Sequence, residues 1–142
     1  MRPRFRPPSA EAKRRKAERN GMNDTEAAFC EHLSRRVGWY CAFEPETLTL
    51  AKGVKYTPDF RTCVDGVTTY YEVKGSKRTR PTKRFPLGNI VPIITEQAHV
   101  RFKVAAAMYP QCRFLLVHPN RGQWLERDYS AAPAERKGGE RG

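Results

Sequence analysis

The stretch VDGVTTYYEVKG, residues 64–75, constrains the fold more than any other part of the chain. Asp65-Gly66 favours the two-residue, positive-φ turn of a β-hairpin, and it feeds an extended run from Val67 to Lys74. Side chains alternate along that run, so Tyr71 and Val73 share one face while Tyr70, Glu72 and Lys74 share the other. The segment before the turn opens with Pro58-Asp59-Phe60, and Pro58, lacking a backbone donor, marks a strand edge or an opening in the ladder. Folded about the turn, Asp59 approaches Glu72 side by side. Two carboxylates so close repel each other unless a cation lies between them.

One domain is expected, because the chain has 142 residues and a single core commonly takes on the order of 100–150. Residues 1–21 combine Pro3, Pro7 and Pro8 with Arg2, Arg4, Arg6 and the run from Lys13 to Lys16, which reads as a flexible basic arm. Residues 130–142, rich in small residues, glycine and charge, read as a disordered tail. The core is then 22–129. It begins with NDTEAAFCEHLSRRVG, a predicted helix with Asn23 or Asp24 as N-cap, Arg35 and Arg36 in its last turn and Gly38 just past its end. The apolar stripe of that helix is Phe29, Cys30, Leu33 and Val37.

Extended pieces broken at Glu44-Pro45 and at Lys52-Gly53 come next, so that a three-stranded meander follows the helix. GSKRTRPTKRFPLGNIVP reads as a long basic loop. ITEQAHVRFKVAAAMYP predicts a helix capped near Thr95 and ended before Pro110, with an alanine-rich side suited to close packing on a sheet. CRFLLVHP predicts a short buried strand, and GQWLERDY an edge strand or a turn of helix. The αβββαβ order predicts an α/β fold, a mixed β-sheet flanked by helices.

Lysine and arginine outnumber aspartate and glutamate 27 to 15, a net charge of +12, which calls for a polyanionic partner, nucleic acid before others. A membrane partner would need a long apolar span or a basic amphipathic helix with a bulky apolar face, and neither is visible. Cys30, Cys41, Cys63 and Cys112 form no C-x-x-C pair and read as buried thiols of a reducing compartment. The first residues carry the charge of a secretory n-region without the apolar stretch that should follow, so an intracellular setting is expected. His32, His99 and His118 are too scattered for a zinc site, and His118 before Pro119 reads as a strand-end residue. Trp39 and Tyr40 read as core residues opening a strand. No serine or cysteine nucleophile has a partnered base in the sequence, and no zinc finger or helix-turn-helix signature is present.

A hard divalent cation suits the Asp59 and Glu72 pair, since Mg²⁺ accepts one or two carboxylates together with water and phosphate oxygens. Such an ion activates water and neutralises charge on a scissile phosphate, while Lys74, on the same face as Glu72, would steady the developing negative charge. Glu-x-Lys alone is commonly a solvated pair. Pro58-Asp59-Phe60, a hairpin-length gap and Glu72-Val73-Lys74-Gly75 together, however, resemble the signature of the PD-(D/E)xK nuclease superfamily. The core from Asn23 to His118, with TEAAF, YTPDF, YYEVKG and FKVAAAMYP, is similar to small phage- or prophage-encoded endonucleases of that superfamily and, more loosely, to junction-resolving enzymes of phages and archaea.

The resemblance implies a restriction-endonuclease-like sheet and a metal-dependent endonuclease acting on DNA in the cytoplasm of a phage-infected or lysogenic bacterial host. It further implies Mg²⁺ or Mn²⁺ bound by Asp59, Glu72 and the Val73 carbonyl, with Lys74 as the catalytic lysine. Related families often add an acid from the first core helix; Glu26 lies on the side of Phe29, Cys30, Leu33 and Val37 and is the candidate, although Asn23 and Glu26 also have capping-box spacing. One departure disfavours the exonuclease branch: Gln97 is followed four positions later by Arg101 where those relatives carry tyrosine. Lys77, Arg78, Arg80, Lys83 and Arg84 begin two residues past Gly75 and are placed to hold a phosphate backbone. Lys103, with His99 one turn before it, either reaches a phosphate or lines a wet face. Two other readings stand beside this one: a nucleic-acid-binding module that keeps the fold without cleaving, and a Holliday-junction resolvase, which requires a homodimer with two sites.

Overall fold

The computed structural model describes Ser9 and residues 21–36 and 41–131. At the Asp65-Gly66 turn both residues adopt positive φ, 51° and 77°, the twist that joins antiparallel strands through two residues. The turn links β4 (Phe60–Val64) to β5 (Val67–Val73), with Val64 opposite Val67 and Phe60 opposite Tyr71. Edge strand β1 (Cys41–Phe43) pairs antiparallel with the outer side of β4. On its other side β5 runs parallel to β8 (Arg113–Asn120), and β8 turns at Arg121-Gly122 into the antiparallel edge strand β9 (Gln123–Asp128). The result is a five-stranded mixed sheet, β1-β4-β5-β8-β9. Parallel neighbours need a long crossover, and here it includes α2 (Glu96–Met108).

Alternation along the two central strands sorts the core into two layers. Tyr71 and Val73 of β5 and Leu115 and Val117 of β8 meet Phe29 and Leu33 of α1 (Asp24–Ser34). Tyr70, Phe114 and Leu116 face the other way, onto Phe102, Ala105 and Ala106 of α2. The alanines let α2 lie close to the sheet, and Phe102 fills the space beside them, packing edge-on against Phe114 at 5.9 Å between centroids. Thr95 caps α2 by accepting the Ala98 N–H, as its sequence predicts. Chain order and layering define a mixed α/β architecture.

Three expectations change. The meander does not absorb residues 46–56: β2 (Leu48–Ala51) and β3 (Val54–Tyr56) form a separate two-stranded sheet, turned at Lys52-Gly53, whose Leu48, Leu50 and Tyr56 join the α2 layer. The stretch expected as a loop contains β6 (Ser76–Arg78) and β7 (Ile90–Pro92), paired antiparallel. The first helix ends at Ser34, with Arg35 as C-cap and Arg36 beyond. Val37, Gly38, Trp39 and Tyr40 lie outside the described residues, as do the basic arm save Ser9 and Gly21 and the tail save Ser130 and Ala131. No described helix is long and apolar enough to cross a membrane.

Phe102 is fully buried, so Phe102→Ala is expected to lower stability by about 3–5 kcal/mol in chemical denaturation. A change within about 0.5 kcal/mol, typical of an exposed position, would contradict this docking of α2.

Candidate active site

The β4–β5 ladder stops at one residue for a local reason. Pro58, fully buried, cannot donate, so β4 begins only at Phe60. Asp59 N–H still reaches the Tyr71 carbonyl at 3.0 Å, and the Asp59 carbonyl accepts from Glu44 N–H at 2.8 Å. Beyond this point Lys74 N–H bonds the Val117 carbonyl at 3.0 Å, which turns the amide groups of the preceding Val73 toward the β4 side, where no ladder remains. The Asp59 carboxylate replaces the missing strand: its Oδ2 accepts the Val73 N–H at 2.8 Å. The Val73 carbonyl points to the same side as its N–H.

Glu72, only 6% exposed, is held at both oxygens. Tyr56 donates its hydroxyl to Oε2 at 2.6 Å, and the Lys74 ammonium lies 3.0 Å from Oε1. Tyr56 stays a firm donor, because burial and then the Glu72 charge push its pKa well up. Burial disfavours the Lys74 ammonium, yet the charges of Glu72, Asp59 and Glu26 outweigh that and raise its pKa. For Asp59, burial first and the Glu72 charge second, with a smaller contribution from Glu26, push the carboxyl up to about 8 against the lowering by Val73 N–H and Lys74. These acids crowd one another with a single lysine between them.

The geometry shows Glu26 as a capping residue. The capping box forms in full, with Glu26 Oε1 accepting from Asn23 N–H at 3.0 Å and Asn23 Oδ1 accepting from Glu26 N–H at 2.8 Å. The same side chain is 8% exposed, and its charge acts on both Asp59 and Lys74. The start of α1 therefore approaches the end of β5 although α1 and α2 cover opposite faces of the sheet.

Lys77, Arg78, Arg80, Lys83 and Arg84 are all exposed on the β6–β7 hairpin, which begins directly after Gly75. Lys103 is exposed on α2, with Gln97 and Arg101. His99 is committed elsewhere, its Nε2 lying 2.9 Å from the Tyr129 hydroxyl. His118 is a correction: it is 1% exposed within β8 and not at a strand end, and its Nδ1 lies 2.8 Å from Ser76 Oγ. Ser76 Oγ also donates to the Pro119 carbonyl, and the two contacts pin the chain after Lys74 to β8. The thiols are less buried than expected, with Cys63 exposed and Cys30 and Cys41 half-buried with sulfurs 3.4 Å apart.

Sequence reasoning overlooked Tyr56. Its only signal is a tyrosine three residues before Asp59, and its role depends on the β2–β3 hairpin folding back over Glu72. Among the described residues no group of three or more His, Cys, Asp or Glu side chains is arranged to hold a metal ion. Asp59 and Glu72 supply two carboxylates, and the Val73 carbonyl is a third oxygen of the hard type that Mg²⁺ or Mn²⁺ accepts. By type these oxygens suit a hard cation, although Glu72 is engaged by Tyr56 and Lys74 and Asp59 by Val73 N–H. The chain matches no protein-family model, no curated protein and no solved structure.

Asp59 binds its proton more tightly in the folded protein than its ordinary value of 3.8 allows. Without divalent cations, stability should fall as pH rises from near that value to about 8, because the folded chain then gives up a proton it holds more strongly than the unfolded chain does. Asp59→Asn keeps an acceptor for Val73 N–H and should flatten that fall, read as denaturation midpoints across the window in EDTA. The same slope in both proteins would contradict the assignment.

Proposed function

We propose that the chain is a divalent-metal-dependent DNA endonuclease with a restriction-endonuclease-like core of the PD-(D/E)xK type, hydrolysing phosphodiester bonds. The observation that carries the reading is the convergence of Asp59, Glu72 and Lys74 at the opening of the β4–β5 ladder, two acids crowded enough for one to hold its proton near neutral pH. Asp59, Glu72 and the Val73 carbonyl would hold Mg²⁺ or Mn²⁺, which when bound supplies the positive charge that polarises water and phosphate oxygens. Lys74 carries a secured positive charge at Glu72 and would stabilise negative charge as the phosphate is attacked. Tyr56 fixes the rotamer of Glu72 from its other oxygen. Glu26 adds negative charge at the site edge, favouring a cation there. The exposed cations after Gly75 would hold the backbone near the scissile bond without reading bases.

Cleavage of supercoiled plasmid, linear duplex, single strand, flap and four-way junction with Mg²⁺, Mn²⁺ or EDTA tests the proposal. Wild type should cut only with the metals, and Lys74→Ala should lose roughly 10²-fold or more in rate while retaining most DNA binding. Equal turnover by wild type and Lys74→Ala would sink the site assignment. Absence of any cutting, with tight salt-sensitive binding, would favour a binding module on the same fold.

A further inference from the structure

The β6–β7 hairpin ends in a tip too well built to be slack chain. Thr79 N–H bonds the Asn89 carbonyl at 2.8 Å, and Asn89 N–H returns to Thr79 Oγ1 at 2.8 Å. Farther out, Thr82 N–H bonds the Phe85 carbonyl at 2.9 Å, Phe85 N–H bonds Thr82 Oγ1 at 3.0 Å, and Gly88 N–H bonds the Phe85 carbonyl at 2.9 Å. Gly88 has φ 78°, and a Cβ there would lie 2.2 Å from the Thr79 carbonyl oxygen, so the return of the chain admits only glycine. Arg78 donates to the Leu87 carbonyl at 2.9 Å. The backbone of Leu87 is thus fixed while its side chain is 81% exposed.

A single exposed leucine is ordinary on a protein surface. This one stands on a hydrogen-bonded tip beside the partly exposed Phe85, whose ring lies 5.4 Å from the Arg84 guanidinium carbon, and is surrounded in sequence by Arg80, Lys83 and Arg84. Apolar side chains presented among cations match the two components of a DNA duplex, stacked bases inside and phosphates outside. Proteins that kink DNA use such residues as wedges between base steps, with basic neighbours on the backbone. The root of the hairpin at Ser76 is two residues past Lys74 and pinned to β8 by His118, so an inserted tip would act on DNA beside the candidate site.

We propose that the β6–β7 hairpin drives Leu87, backed by Phe85, between base pairs of duplex DNA while its lysines and arginines hold the flanking phosphates. The inference rests on the nucleic-acid reading above and deepens it: the substrate would be a duplex that opens readily, at a flexible step, mismatch or branch point.

Duplexes carrying 2-aminopurine at successive positions test it, with fluorescence and binding measured on the same samples in EDTA so that no strand is cut. Wild type should give a severalfold rise at one or two positions, Leu87→Ala should lose it, and Leu87→Met should keep it. Leu87→Ala should change affinity by less than about threefold, since phosphate contacts carry most of it. Tight binding by wild type without a rise at any position, or an equal rise with Leu87→Ala, would overturn the wedge and leave the nucleic-acid reading standing. No salt-sensitive binding to any duplex would overturn both, and binding to phosphatidylserine vesicles in its place would assign the tip to a membrane surface.

Discussion

One hydrogen bond, from Val73 N–H to Asp59 Oδ2, is where fold and candidate chemistry meet. A strand ladder that opens must satisfy its orphaned amides from elsewhere or lose the stability they would have contributed. Pro58 opens this ladder, and Asp59 answers with its side chain. That substitution draws a carboxylate against the strand end just where Glu72 and Lys74 share a face. The Val117 carbonyl, by taking Lys74 N–H from the parallel side, fixes which way Val73 points. Both neighbours of β5 are therefore needed to make the gap: antiparallel β4, which stops, and parallel β8, which continues.

Much of this arrangement is legible in the sequence. Asp65-Gly66 demanded a positive-φ turn, and the turn sets the register that brings Asp59 beside the end of β5. Alternation from Val67 to Val73 sorted Tyr70 and Tyr71 to opposite layers, and Thr95 and the alanines of α2 announced a capped helix lying close on a sheet. Tyr56 stayed hidden because its partner is 16 residues away and the β2–β3 hairpin carries no mark of where it docks. His118 was misread for a related reason: Pro119 after it suggests a strand end, but β8 pairs with β9 through Pro119 and Asn120, and only Ser76 explains a histidine buried there. The basic segment after Gly75 looked like loop because its two short strands are separated by prolines and glycine.

Exposed cations and buried or half-buried acids occur next to each other along the chain at the end of β5. Of the 27 lysines and arginines, Lys77, Arg78, Arg80, Lys83 and Arg84 are exposed on the hairpin after Gly75, while the charges of Asp59, Glu72 and Glu26 act on the half-buried Lys74. Buried acids are costly unless paired, and Lys74 pairs with only one of them at salt-bridge distance. A divalent cation would relieve what remains. Burial and the Glu72 charge raise the pKa of Asp59.

Whether this cluster holds a cation is decided by titrating the metal-free protein with Mn²⁺ and following the loss of the free-ion electron paramagnetic resonance signal. Wild type should bind Mn²⁺ saturably, and Asp59→Ala should lose that binding while remaining folded by circular dichroism. Absence of saturable binding by wild type, or undiminished binding by Asp59→Ala, would rule the cation site out.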